Sequence, residues 1–201
     1  DIMPLWIEKG VLILAWVWFV NLFNFMDGLD GLATSEAIFI SLALAILVPP
    51  LAPVACILAV ACLGFLRVNW QPAQIFLGDV GSTYLGFMLG GLLFIALEWN
   101  TWQLVWPLFA ITLVFSADAT FTLFKRMYNG HKPWHPHREF FAHQAAAKLG
   151  SHSAVVLRVF VLNLCLLGFV WLEFYLVIPG LSLVCGCTLL TLVAWRIYQL
   201  K

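Results

Sequence analysis

Charge is scarce in this chain. Only 10% of its 201 residues are Asp, Glu, Lys or Arg, the two signs cancel, and there is no lysine–arginine run or basic tail. Nucleic acid is therefore excluded as a partner. Cysteine in metal-ligand spacing is also missing. Cys56, Cys62, Cys165, Cys185 and Cys187 all lie in apolar runs and read as small buried residues, assigned to neither disulfide nor zinc. No signal peptide is present and residue 1 is Asp, which leads us to expect the C-terminal portion of a longer protein. What remains is apolar: 63% of residues are hydrophobic and the mean hydropathy is +0.98, too little polar surface to cover a soluble globule. The composition predicts an all-α, polytopic integral membrane bundle, with residues 1–201 forming one transmembrane domain embedded in a lipid bilayer.

A helix needs about 20 apolar residues to cross roughly 30 Å of hydrocarbon. Scanned that way, the chain offers seven candidate spans, some of them short: 10–25, 35–48, 53–66, 82–97, 102–124, 154–178 and 181–198. Pro49, Pro50 and Pro53 mark a tight turn between the second and third. Alternating these spans puts Arg67, Lys125, Arg126, Lys132, Arg138, Lys148, Arg158, Arg196 and Lys201 on one side and leaves Lys9 opposite. By the excess of lysine and arginine in cytoplasmic loops, that side is the cytoplasm. The same alternation gathers the unusual polar motifs there.

The first of these motifs is NLFNFMDGLDGLA, residues 21–33. Its Asn21, Asn24, Asp27 and Asp30 recur every three residues and fall along one drifting stripe if the first helix continues. Such oxygen donors suit Mg²⁺, which binds through one or two carboxylates plus waters and substrate phosphates. The structural alternative is a helix C-terminus stopped by Gly28 and Gly31 with solvated aspartates. The D-x-x-D spacing without a twelfth-position glutamate excludes an EF-hand. The second motif, FLGDVGSTYLG at 76–86, sets Gly78, Asp79 and Gly81 before Ser82 and Thr83 at a helix start, where free N–H groups favour an anion. No G-K-[ST] follows, so it is not a P-loop. An ordinary serine N-cap with Asp79 favouring the dipole reads the motif equally. Asp118 lies inside the fifth apolar stretch, where an ionisable group is a functional candidate or the partner of a cation such as Arg126. The segment 130–144 concentrates His131, His135, His137 and His143 with Lys132 and Arg138. These two cations suit a phosphate, and the alternative is a solvated loop touching anionic headgroups.

With these motifs assembled, the chain resembles the polyprenyl-phosphate N-acetylhexosamine-1-phosphate transferases. This family includes the undecaprenyl-phosphate GlcNAc-1-phosphate transferases and the phospho-MurNAc-pentapeptide translocase. The resemblance rests on NLFNFMDGLDGLA, FLGDVGSTYLG, the D-A-T-x-T-L run at Asp118 to Leu123, and the basic segment with His137 and Arg138. It is closer to the subgroup that starts O-antigen and other surface polysaccharides. The resemblance implies Mg²⁺-dependent transfer (Mn²⁺ as the substitute ion) of a sugar phosphate from a UDP-N-acetylhexosamine to undecaprenyl phosphate. It places that reaction at the cytoplasmic face of the bacterial inner membrane. It makes Asn24 and Asp79 the metal ligands, puts Asp27 and Asp30 in the catalytic pocket with Asp79 and His137, and has His137 and Arg138 grip the nucleotide-sugar diphosphate. The remaining substrate-binding candidates are Asn21, Asn24, Gly78, Gly81, Ser82, Asp118, Lys132 and His143. Two departures stand out: the family's D-D-x-x-D-type motif has no counterpart before residue 21, and Phe140 stands where the subgroup has a second histidine. The competing readings are a truncated non-catalytic scaffold and a transporter. The oligomeric state, a homodimer included, is not fixed by the sequence.

Overall fold

The computed structural model describes residues 4–99, 102–132 and 139–199. Among these, every regular element is a helix: α1 (Leu5–Met26), α2 (Leu32–Leu47), α3 (Ala52–Asn69), α4 (Gly78–Trp99), α5 (Val105–Ile111), α6 (Leu113–Tyr128), α7 (Phe141–Leu149), α8 (His152–Leu176) and α9 (Leu181–Gln199). Four stretches are long and apolar enough to cross a membrane: Trp6–Met26, Pro49–Asn69, Gly78–Trp99 and His152–Leu176. The shorter apolar helices, Leu32–Leu47 and Leu181–Ala194, account for the second and seventh predicted spans. The protein is an all-α polytopic membrane protein.

Three predicted elements differ from those observed. The fifth span is not one helix: α5 and α6 meet at an angle of 73°. The break falls at Thr112, whose hydroxyl donates to the Phe109 carbonyl at 3.1 Å and whose N–H also turns back to Phe109. This local bonding offers the backbone an alternative to the regular ladder. The fourth helix begins at Gly78 rather than at Ser82, so the second acidic motif is the first turn of α4 and not a loop before it. The hydrophilic segment contains a helix, α7, that hydropathy could not show. Its Ala145, Ala146 and Ala147 are strong helix formers, and Gly150, left-handed at φ 64°, stops it.

Helix ends decide where the polar groups collect. The ends of α1 and α3 meet the starts of α2, α4 and α8 at one end of the bundle. The α8–α9 turn lies at the other end, with Gly180 beside Trp106 of α5. There the Glu173 carboxylate accepts the N–H groups of Gly180 and Ser182 at 2.9 and 3.0 Å, satisfying donors at the start of α9. Buried between α2 and α8, Asn163 donates to Glu36 at 2.6 Å. Links of this kind in membrane bundles contribute roughly 0.6 kcal/mol on average, so packing dominates.

Helix α1 packs closely against α4. The two helices run antiparallel in a register that sets Asn24 opposite Ser82, Val20 and Phe23 opposite Gly86, and Trp16 opposite Gly90. A Cβ on Gly86 would lie 3.1 Å from the Val20 Cα, and one on Gly90 would lie 2.5 Å from the Trp16 ring. Trp16 stacks on Phe87 at 4.9 Å and donates its indole N–H to the Phe87 carbonyl at 3.1 Å. Small residues that let two backbones approach are a common way to join helices in lipid, where no hydrophobic force drives them together. Gly86→Val should therefore push α1 from α4, at a cost of about 1 to 3 kcal/mol. The expected outcome is a thermal unfolding midpoint several degrees below wild type in detergent. An unchanged midpoint would show that the two helices can separate without penalty.

Candidate active site

At the end of the bundle where α1 and α4 meet, the chain encloses a cavity of about 270 Å³. It is lined by Asn24, Asp27, Gly28, Leu29, Asp30, Asn69, Phe76, Gly78 and Asp79. The sequence separates its two acidic motifs by some fifty residues, and the antiparallel register of α1 on α4 closes that distance. Asn24 is on the last turn of α1, Asp79 is on the first turn of α4, and the Ser82 hydroxyl ties them by donating to the Asn24 Oδ1 at 2.5 Å. Gly31, left-handed at φ 75°, reverses the chain into α2 and so folds Asp27 and Asp30 around the same space.

The two carboxylates of the turn have different surroundings. Asp27 is half-buried, and burial pushes its carboxyl up to about 7, with the negative charge of Asp79 adding to the rise. Asp30 is held by scaffolding. Its Oδ2 accepts the Ala73 N–H at 3.2 Å, its Oδ1 is 3.4 Å from His152 Nδ1, and its own N–H donates to that same nitrogen at 3.2 Å. Asp30 thus pins the 70–76 loop and the start of α8 to the acidic turn. Gln71 adds to this junction, its side-chain oxygen accepting the Ser153 N–H at 2.7 Å.

The donor set fits a hard divalent cation. Asn24, Asp27 and Asp79 offer oxygens only, and the mutual repulsion of Asp27 and Asp79 is the kind an ion between them would relieve. Among the described residues no three His, Cys, Asp or Glu side chains converge on one point. Mg²⁺ binds through one or two carboxylates and keeps open positions for water and phosphate. Asn24 and Asp79, with Asp27 beside them, are the residues that would hold it.

Other sequence candidates fall elsewhere. Asn21 is exposed and donates its side-chain N–H to the Val17 carbonyl at 2.7 Å, so the three-residue stripe does not extend back to it. The stripe also ends early, because α1 stops at Met26 and Asp30 lies beyond a turn. Ser82 is fully buried in the second turn of α4 and is committed to Asn24; it is neither the helix cap nor an open phosphate contact. Gly81 packs on the Leu77 side chain, whereas Gly78 does line the cavity. Asp118 borders a different, mainly apolar cavity of about 650 Å³ between α6, α7, α8 and α9. Lys132 is exposed beyond α6. His137 and Arg138 lie outside the described residues. His143, on α7, rests its imidazole on Gly28 with Nε2 nearest, so a side chain at residue 28 would overlap the ring. This explains a glycine where the backbone itself demands none.

Three residues escaped the sequence reading. Asn69 lines the cavity, accepting from Thr34 at 2.7 Å and donating to the Ile75 carbonyl at 3.0 Å. Phe76 lines it as well, and His152 braces Asp30. In the run RVNWQPAQIF, residues 67–76, the order of polar residues carries no signal of which one turns inward.

Residues 2–97 match the family model described as glycosyl transferase family 4. The chain is 32% identical over 169 residues to the phospho-N-acetylmuramoyl-pentapeptide-transferase of Prochlorococcus marinus, covering 73% of this chain and 44% of that protein. It is 31% identical over 166 residues to the decaprenyl-phosphate N-acetylglucosaminephosphotransferase of Mycolicibacterium smegmatis, covering 70% and 41%. Over a shorter stretch of 78 residues, 35% of this chain and 23% of the relative, it is 44% identical to the phospho-N-acetylmuramoyl-pentapeptide-transferase of Chlamydia trachomatis. The chain thus spans less than half the length of these curated relatives. Both acidic motifs that build the cavity fall inside the matched region, and on that sequence and geometry the chain belongs to glycosyl transferase family 4.

Proposed function

We propose that the protein transfers a sugar 1-phosphate from a UDP-N-acetylhexosamine to undecaprenyl phosphate, with Mg²⁺, at the cytoplasmic face of the bacterial inner membrane. The product is the lipid diphosphate sugar that starts a surface polysaccharide such as O-antigen. The observation that carries this reading is the convergence of Asn24, Asp27 and Asp79 on one cavity at the end of a membrane bundle. The names of the relatives, which pair a polyprenyl phosphate or a muramoyl-pentapeptide with phosphotransfer, support it. A transporter would set its ionisable groups near the bilayer midplane, whereas these sit where the helices end.

The chemistry asks little covalent help of the protein. The lipid phosphate, with a second pKa near 6, is largely dianionic at neutral pH. Its oxygen attacks the phosphorus that carries the sugar, the bond from that phosphorus to the UMP oxygen breaks, and UMP leaves with the electron pair. Phosphoryl transfer of this kind depends on positioning and charge neutralisation. A bound Mg²⁺ would neutralise diphosphate charge as the bond to UMP lengthens. Asn24 and Asp79, brought together by the α1–α4 register, would hold the ion. Asp27 adds negative charge beside them, and Asp30 keeps the turn in place from behind. His143 rests its imidazole on Gly28, which lines the cavity. The apolar cavity between α6 and α9 shares Met26 with the end of α1, so a prenyl chain lying there would bring its phosphate near the acidic turn.

Two substitutions test this in the full-length protein, with UMP release and lipid product measured against a panel of UDP-sugars. Asp79→Asn should lower turnover roughly 100-fold or more, with membrane insertion intact; wild-type turnover would remove Asp79 as a ligand. Gly28→Ala leaves the acidic residues in place but displaces the His143 ring. Turnover is expected to fall roughly tenfold or more, in keeping with the loss of a positioned general acid–base or hydrogen-bonding group. If Gly28→Ala turns over normally, His143 has no part in the reaction.

A further inference from the structure

Asp118 is an acid inside an apolar helix, and its environment shows what it is used for. Helix α7 begins without a cap of its own. Its N-cap residue is Phe140, whose side chain makes no capping hydrogen bond, so the first N–H groups of the helix have no local acceptor. Asp118, more than twenty residues earlier on α6, supplies one. Its Oδ1 accepts the Phe141 N–H at 2.8 Å and its Oδ2 accepts the Ala142 N–H at 3.0 Å, while the Thr122 hydroxyl donates to Oδ1 at 3.3 Å. Both oxygens are engaged, and the charge sits at the positive end of the α7 dipole. Two further contacts of α6 secure the same junction: Arg126 pairs with Glu139, two residues before α7, and Phe121 packs on Phe141 at 5.8 Å between ring centroids.

The same short helix carries His143, within its capped first turn, against Gly28 of the acidic turn. We propose that Asp118 is a positioning residue: it caps α7 across the helix–helix junction and thereby holds His143 against the wall of the Asn24–Asp27–Asp79 cavity. This replaces substrate contact as the role of Asp118. A capped α7 has its first turn fixed by two charge-assisted bonds. Without them that turn frays, and the imidazole at its third residue loses its placement. The catalytic consequence rests on the transferase reading above, whereas the capping itself does not.

The test uses the full-length protein in lipid nanodiscs and reads hydrogen exchange along the chain beside steady-state kinetics. In Asp118→Ala, exchange in the 141–149 segment should quicken roughly tenfold while α1 and α4 keep wild-type protection. Asp118→Asn, isosteric and able to accept only one of the two N–H groups, should fall between. kcat should decline in the same order, Asp above Asn above Ala, with KM for the UDP-sugar within about twofold of wild type. A raised KM with unchanged exchange at 141–149 would overturn the proposal in favour of direct substrate contact. So would Asp118→Asn exchanging like wild type while losing activity. Should Asp118→Ala loosen α1 and α4 as well, the Asn variant decides by the same criterion. If the wild-type protein transfers no sugar phosphate, local loosening of 141–149 upholds the capping role while the transferase reading fails.

Discussion

The close antiparallel seam of α1 on α4 is the constraint on which the rest of the site depends. Lipid gives helices no hydrophobic reason to associate, so contact must come from shape and from a few polar bonds. Here Gly86 and Gly90 remove side chains where Val20, Phe23 and Trp16 press in, and the backbones approach closely. The approach fixes more than distance. It fixes register, and register is what sets Asn24 across from Ser82 and brings Asp79 into the same cavity. A shift of one helical turn, about 5.4 Å, would part the oxygens of the two motifs by more than a common ion can bridge.

Around that seam the polar residues divide into those that face the cavity and those that hold its walls. Asp27 and Asp79 face it and repel one another, which is a reason for a cation to bind between them. Asp30 and Asn69 belong partly to the walls: Asp30 accepts the Ala73 N–H of the 70–76 loop and donates its own N–H to His152 of α8, while Asn69 donates to the Ile75 carbonyl of that loop and accepts from the Thr34 hydroxyl of α2. Asp118 lies farther back and acts on α7. Five acids or amides of similar appearance in the sequence therefore do three different jobs, and the number of free oxygen lone pairs left after local bonding separates them.

α7 shows how a site can depend on a helix that the bilayer does not require. It is short, lies in a hydrophilic segment, and has alanines rather than apolar bulk for its stability. Its anchoring is borrowed from α6, through Asp118 and Arg126, and its contribution to the cavity is one imidazole resting where glycine leaves room.

Much of the architecture was legible in the sequence because lipid imposes a simple rule. Apolar stretches of sufficient length must be helices, since no other backbone satisfies its own hydrogen bonds there. Six of the seven predicted stretches are single helices and the fifth is two, and the two acidic glycine motifs, together with their family, could be read from local residue order. The break at Thr112 could not, because a hydroxyl bonding back onto its own helix looks the same in sequence as one facing outward. Nor could the start of α4 at Gly78, the inward turn of Asn69, the bracing of Asp30 by His152 or the capping of α7 by Asp118. Each of these depends on which distant backbone N–H, carbonyl or side chain arrives next to a given residue, and that is set only when helices pack in one register. Composition chose the solvent and the helices, motif spacing chose the chemistry, and tertiary contact alone decided which polar atoms were left free to perform it.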